Sequence, residues 1–522
     1  MQILFNGKIG LHSHQTAIAV EGNQIVAVGS DPEILTLEKP GSQKTNLAGK
    51  SVWPGLIDSH LHLELYSQFL ELVDCDTATK EECLKRVEQK ALHLSDSSWI
   101  LGSGWNQNNW QNGFGTAYEL DAYANNHPVF LYDKSLHTAW VNSIALKICN
   151  IDQTTPDPVG GMIQHDAKGN PTGILFENAV ALVQSHIPGP TPQQKKDSIL
   201  IAQDRLIRYG LTGVTDFDPL SCFETISNLQ SNGLLKLRVT KGIPFDHFDW
   251  AVDRQIYTGM TEGLIRWGAL KLFADGALGP QTAAMISPYA GKNNYGKLQL
   301  TADEIFEIGK KAARHRIALA IHAIGDRATH EVIKGFTKLR VFENKNSLPH
   351  IDHRVEHLQL LDPEDLKKCN ELGVIASMQP VHATSDMFTA DKYWGERVKY
   401  AYAYNSLLKL GTTIIMGSDA PVESPNPFLG IHAAVTRRRC DGTPSLSGWQ
   451  PQEKITLSQA LAGYSTNPSL LDHDSYRQGR LQPGQIADLL ILPVDPEKID
   501  EQELFTIEPE SVMINGDWVF RR

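Results

Sequence analysis

The chain is short of several things. Its six cysteines, Cys75, Cys83, Cys149, Cys222, Cys369 and Cys440, are scattered through 522 residues and form no Cys-x-x-Cys pair. That excludes a disulfide-stapled scaffold and a thiolate zinc cluster, and leaves free packing thiols in a reducing, cytoplasmic compartment. Basic charge is not in surplus: 48 Lys and Arg against 60 Asp and Glu give a net charge of -12, with the two signs interspersed. Neither a nucleic acid nor an anionic membrane surface is therefore expected as partner. No apolar run reaches the roughly 20 residues of a membrane span. The start, Met1-Gln2-Ile3-Leu4-Phe5-Asn6-Gly7-Lys8, has no basic segment followed by a long apolar one, so no secretory signal is read there. Low-complexity tracts and internal repeats are missing too. What is left is a globular chain with length for a large domain and a smaller companion. Its partner is expected to be a small neutral or cationic molecule, and a homodimer stays open.

What is present is histidine, and two of the nineteen stand out. In Val52-Trp53-Pro54-Gly55-Leu56-Ile57-Asp58-Ser59-His60-Leu61-His62 an apolar lead-in ends in His-x-His. Alternate side chains of an extended strand point the same way, so His60 and His62 offer two imidazoles to one point in space.

The organisation around this pair follows from pattern. Both ends read as short strands with turns: Gln2 to Phe5, Ala17 to Val20 and Ile25 to Val28 at one end, Ala487 to Leu492 and Ser511 to Phe520 at the other. No helix is expected in the first fifty residues. The two ends, 1–51 and 476–522, are predicted to form one small β-sandwich. Between them β-rich runs alternate with helical stretches, the pattern of parallel β/α units. Eight strands are counted: Val52 to Leu61, Leu211 to Asp216, Leu235 to Ile243, Gly268 to Ala274, Ile317 to His322, His353 to Gln359, Gly373 to Gln379 and Thr412 to Ser418. They predict an α/β fold, a (β/α)₈ TIM-type barrel over 52–65 and 190–475, with its active site at the carboxyl ends of the strands. The long interval 66–189 after the first strand is predicted to be an insertion that contributes to the pocket. It holds a helical stretch, Glu81 to Leu94, and a strand-like Pro128 to Tyr132.

Further ligand types fall at strand ends. Lys271 sits inside the apolar run Ala269 to Ala274, where an ammonium is costly unless paired or chemically changed. Two readings stand side by side: a CO₂-carboxylated lysine bridging two metal ions, or a lysine that pairs with Asp275 or stretches its stem outward. His322 ends the fifth strand, and the small Ala318 and Ala320 on its face leave space for a metal or substrate. His357 lies on the sixth, and Asp419 follows the eighth. Together, His60, His62, Lys271, His322, His357 and Asp419 form a metal-ligand set of imidazole and carboxylate without thiolate. It suits one or two divalent ions, zinc first, with Mn, Fe, Co or Ni as alternatives. Metal-bound water would have its pKa lowered from about 15.7 towards about 7 and would attack a carbonyl carbon. Asp419 would then carry the proton.

These residues, with the stretches Gly104 to Trp110, His137 to Ser143, Gly173 to Ala179, Lys271 to Gly279, Gln379 to Asp386 and Gly417 to Glu423, make the chain similar to the amidohydrolase superfamily. The resemblance is to its amidohydrolase-3 branch of YtcJ-like and N-substituted formamide deformylase-like proteins, and it runs nearly end to end. It implies a metal-bearing barrel with a terminal β-domain, places the six residues above on metal and proton-transfer positions, with His357 and Asp419 at the catalytic centre, and favours a carboxylated Lys271. Trp105, His137 and His382 are candidate substrate contacts. Glu177, Asp275 and Arg437 are weaker candidates, and His315, His330 and His353 are read as solvated. The leading expectation is a metal-dependent hydrolase of a C–N bond in an amide, formamide or cyclic amide. One alternative is a mononuclear-metal deaminase of an aminated heterocycle. Barrels of that kind carry a glutamate three residues after the fifth-strand histidine, where this chain has Gly325. The other alternative is a catalytically decayed barrel with a binding role.

Overall fold

The computed structural model describes residues 1–111, 113–471 and 477–522. The expected boundary at 475/476 lies outside the described residues. Eight parallel strands stand side by side in chain order in one sheet. They are β1 (Leu56–Leu61), β2 (Leu211–Asp216), β3 (Arg238–Pro244), β4 (Ile265–Phe273), β5 (Leu319–Ala323), β6 (Arg354–His357), β7 (Ile375–Met378) and β8 (Ile414–Met416). Most of their residues are buried, as strands covered on both faces require.

The two ends of this sheet meet just beyond the strands. The Asp419 N–H donates to the His60 carbonyl at 2.7 Å and the His62 N–H to the Ala420 carbonyl at 2.9 Å. The buried Asp58 accepts from the His60 N–H, the Ser418 N–H and the Ser418 hydroxyl. Gly417 permits this seam, since a Cβ there would lie 2.6 Å from both Asp58 Oδ1 and the His60 nitrogen. The TIM-type barrel thus draws its ends together through the residues that flank the His-x-His pair and Asp419.

The first expected strand is two. Ser51–Pro54 pairs with Leu489–Leu492 in a separate sheet, and β1 starts afresh at Leu56. Gly55 marks the break: its N–H goes to the Asp488 carbonyl, and a Cβ would lie 2.4 Å from Thr212 Oγ1. The chain termini feed two sheets. One has the order Gln24–Gly29, Ala17–Glu21, Gln2–Phe5, Gln43–Asn46; the other runs Lys8–Ile9, Ser51–Pro54, Leu489–Leu492, Ser511–Ile514, Asp517–Arg521. Leu4, Ile18 and Val20 from the first share an apolar cluster with Val52, Leu489, Ile491 and Met513 from the second. A short helix, Asp31–Leu35, lies within the first fifty residues, contrary to expectation; Ser30 and Glu33 close a capping box at its start.

The chain divides into two compact units, Met1–Tyr66 with Ile199–Arg522, and Ser67–Ser198. The second has a six-stranded sheet in the order Gly161–His165, Pro171–Glu177, Thr138–Val141, Val129–Asp133, Ile100–Trp105, Val73–Asp74. Its helix Lys80–Ala91 is capped by Thr79, whose side chain accepts from the Glu82 N–H. All six cysteines are free; Cys440 is exposed rather than packed. Among the described residues no helix is long and apolar enough to cross a membrane.

Candidate metal centre

The strand ends bring four imidazoles into one cluster. Ring centroids of His60 and His357 are 4.8 Å apart, of His322 and His357 4.5 Å, and of His60 and His62 5.9 Å. Asp419 reaches into it: its Oδ1 lies 3.4 Å from His60 Nε2 and 3.5 Å from His62 Nε2, and its Oδ2 lies 3.4 Å from His382 Nε2. Regular strand geometry is given up at this rim, where His357, Leu358 and Asp419 hold left-handed φ angles of 71°, 42° and 62°. Such strain persists only where the surroundings impose it.

Each ring is pinned by the nitrogen that faces away from the cluster. Nδ1 of His60 lies 2.6 Å from a carboxylate oxygen of the fully buried Glu356, and Nδ1 of His62 lies 3.3 Å from Asp218 Oδ1. Nδ1 of His357 lies 2.9 Å from Gln379 Oε1. These oxygens only accept, so the Nδ1 atoms carry protons; the Nε2 lone pairs of His60 and His357 are left for a ligand, and Nε2 of His62 is turned toward Asp419. His322 is reversed: its Nε2 lies 3.0 Å from the Gly276 carbonyl, which frees Nδ1.

Burial sets the charge states. It pushes His60 and His322 down to about 4, aided by the Lys271 charge, and His357 well below its ordinary value. These three are neutral and ligand-ready near pH 7. Burial opposes protonation of His62 and His382 as well, but hydrogen bonds to carboxylates win: Asp218 and Asp419 raise His62 to about 9, and Asp419 and Glu423 raise His382 to about 10. Burial works to raise Asp419, yet its contacts with His382 and His62 hold it well below the usual carboxylate range.

His60 Nε2 is the decisive atom for metal fit. It is buried and has no hydrogen-bond partner. A buried polar nitrogen left bare costs about 1–3 kcal/mol, which a bound cation would remove. Ligand atoms of His60, His62 and Asp419 lie within 4.8 Å of one another, and so do those of His357, His382 and Asp419. Nitrogen and carboxylate donors of this kind fit a divalent ion.

Lys271 lies on β4 with 5% of its surface exposed. Its ammonium stands 4.5 Å from the centre of the Phe217 ring and 5.1 Å from that of Phe273. The expected alternative of a pair with Asp275 is not found: among the described residues no carboxylate is in ion-pair contact with Lys271. Asp275 is spent on the N–H groups of Ala284, Ile324 and Gly325. Burial brings the lysine down to about 8 against the pull of Glu356 and Asp419. The space expected beside Ala318 and Ala320 is taken by an apolar cluster that joins them to Phe217, whose ring stands 4.7 Å from that of His60.

The remaining candidates separate. His382, buried, belongs to the Asp419 cluster. Trp105 has no accessible surface and its indole N–H donates to the Leu131 carbonyl, so it is a core residue of its own unit and cannot touch a substrate. His137 is exposed and pairs with Glu177 at 2.9 Å. Arg437 is enclosed by the Tyr404 and Trp449 rings and serves packing. His353 is not solvated: it is fully buried, accepts the Leu319 N–H and meets Glu343 at 2.9 Å. Half-buried His330 pairs with Asp365, and His315 is exposed. Sequence reading missed Glu356, Asp218 and Gln379. Glu356 stands directly before a candidate ligand, but only the fold shows that it serves His60 on another strand.

Known proteins resemble this chain over nearly its whole length. A model described as the Amidohydrolase family matches residues 43–520. The chain is 31% identical over 520 residues to a putative amidohydrolase, YtcJ, of Bacillus subtilis, covering 97% of this chain and 96% of that protein. It is 27% identical to the N-substituted formamide deformylase of Arthrobacter pascens, covering 96% and 94%. Among solved structures, an uncharacterized metal-dependent hydrolase from Pyrococcus furiosus superposes with a TM-score of 0.77 at 26% identity, over 95% of this chain and all of that one.

Proposed function

The chain belongs to the amidohydrolase family and is a metal-dependent hydrolase, and from that premise we propose that it cleaves a C–N bond of an amide, formamide or cyclic amide in a small molecule. The name of the Arthrobacter relative supports the bond type. His60, His62, His322, His357 and Asp419 would hold the divalent ion or ions, zinc best suiting the donors, with Lys271 in its carboxylated form as a further oxygen ligand. When bound, the ion supplies Lewis-acid polarisation and a lowered pKa for water.

The chain's own groups do the rest. Asp419, anionic between three imidazole nitrogens, takes a proton from water and passes it to the leaving nitrogen. His382 steadies the carboxylate oxygen that His60 and His62 do not face. Gln379 keeps the proton of His357 on Nδ1. Phe273, half exposed at the end of β4, offers an apolar wall next to His322.

The observation that carries this reading is the bare, buried Nε2 of His60 facing Asp419. The deaminase reading loses support at Gly325, because a Cβ there would lie 2.0 Å from the Ala284 carbonyl oxygen and no glutamate fits. Asp326, one step on, accepts the Ile286 N–H instead. Metal analysis combined with turnover on amides, N-substituted formamides and hydantoins tests the proposal. Hydrolysis of one of these classes is the expected result. Ammonia release from aminated heterocycles alone would favour deamination, and a metal-loaded protein inert to all would overturn the enzymatic reading.

A further inference from the structure

The end of β2 and the residues after it hold two buried carboxylates, Asp216 and Asp218, the second of which meets His62. Asp216, Asp218 and Cys222 bring their ligand atoms within 4.8 Å of one another. A cation is already there: the Lys241 ammonium, fully buried, lies 2.8 Å from Asp216 Oδ2 and also donates to the Asp218 carbonyl. This cluster is therefore an internal ion pair and not a second metal site. It fixes the backbone from which the Asp218 side chain projects.

Asp218 divides its two oxygens. Oδ2 accepts the N–H groups of Glu64 and Leu65, at the start of the Leu63–Glu71 helix that follows the His-x-His pair. Asp216 accepts the Leu63 N–H at 2.8 Å, so three consecutive amides at this helix start, which no helix carbonyl can reach, are satisfied from β2 and the residues after it. Oδ1 of Asp218 faces His62 Nδ1 at 3.3 Å. The other ring of the pair needs no such help, being enclosed and held by Glu356. The His62 side chain is 25% exposed, so water competes for its nitrogens and its ring needs an anchor.

We propose that Asp218 is a positioning residue of the metal centre: one oxygen holds the Nδ1 proton of His62 and so presents Nε2 to the ion, while the other locks the helix start that follows His62. The inference rests on the metal-dependent reading above. It also singles out one substitution. In Asp218→Asn the amide oxygen suits the two helix N–H groups, which places the NH₂ against His62 Nδ1. A donor there favours the opposite tautomer, with the proton on Nε2, which cannot ligate.

Zinc affinity, measured by competition with a chromophoric chelator, tests this in wild type, Asp218→Asn, His62→Ala and the double variant. Asp218→Asn is expected to bind zinc about 10–100-fold more weakly, the usual effect of losing a carboxylate behind a metal-bound histidine. Its metal-free melting temperature should stay near that of wild type, and it should have no further effect in the His62→Ala background. Equal affinity of Asp218→Asn and wild type, or the same loss with and without His62, would overturn the proposal and leave the metal reading intact. Wild type that takes up no zinc would overturn both. Should Asp218→Asn fail to fold, ¹¹³Cd-loaded wild type decides by NMR: cadmium coupling to His62 through Nε2 agrees, and coupling through Nδ1 overturns.

Discussion

Glu356→Gln is the perturbation that most sharply probes how the cluster is supported from below. Glu356 has no accessible surface; one oxygen accepts the His60 Nδ1–H at 2.6 Å, and the other pairs with Arg354. Burial would raise this carboxyl, but Arg354 and His60 hold it well below its ordinary range, so it is anionic. Arg354 is itself buried and also donates to the Ser59 carbonyl. An amide can offer an oxygen to only one of the two partners and must turn its NH₂ on the other, leaving donor against donor. Breaking a buried ion pair in this way costs about 3–5 kcal/mol. The compact unit that contains it has roughly 390 residues, and an unfolding entropy of about 2.1 cal/mol/K per residue converts that cost into a melting-temperature loss of ~4–6 °C. Calorimetry of both proteins in excess chelator, at one scan rate, reads it without any contribution from metal. The double replacement Arg354→Met with Glu356→Leu should recover most of the loss, because apolar residues need no partner. It should not recover zinc affinity, because His60 would still lack its anchor. A Glu356→Gln protein that melts within about 1 °C of wild type would refute the reasoning, since a buried arginine cannot lose its anion at no cost.

Other expectations follow from the same contacts. Asp419→Asn should retain most of the bound metal while turnover falls by about 10²–10⁴, the worth of a placed proton carrier; full activity would remove that role. Gly325→Ala should destabilise the fold by about 1–3 kcal/mol through collision with the Ala284 carbonyl, read as a shift in denaturant midpoint. His432, on the Pro427–Thr436 helix, is pushed from 6.5 down to about 4 by burial and by Arg438. On acidification the unfolded chain takes this proton first, so the contribution is whole above pH 6.5 and is lost as the pH falls towards 4. His432→Gln should therefore lose less stability than wild type over that interval, and parallel stability curves for the two would contradict it.

How much of this is legible in the sequence depends on the kind of contact. The His-x-His pair and the strand-end positions of His322, His357 and Asp419 follow from strand periodicity, because a period of two and the rule for barrel active sites are local statements. The break falls at Pro54-Gly55, a local turn signal that the apolar residues on either side outweigh in a strand reading, and only pairing partners assign the two halves to different sheets. The capping box at Ser30 is written in the sequence as Ser-x-x-Glu, but the helix behind it is so short that the flanking strand pattern hides it. Ala318 and Ala320 suggest open space, yet small residues also make room for a large neighbour, and the apolar cluster they join includes Phe217, just past β2. Trp105 shows the same ambiguity for aromatic residues, which line pockets and fill cores with equal ease. Glu356, Asp218 and Gln379 escape a linear reading because each acts across the sheet on a ring from a different segment.

The metal centre is tested most directly by an anomalous-scattering map, at the zinc edge, of crystals of the zinc-loaded protein. The predicted result is density shared by Nε2 of His60, Nε2 of His62 and Asp419, with any second ion reached by Nδ1 of His322 and Nε2 of His357. Rings held as described with no ion between them, or an ion bound elsewhere in the chain, would contradict it.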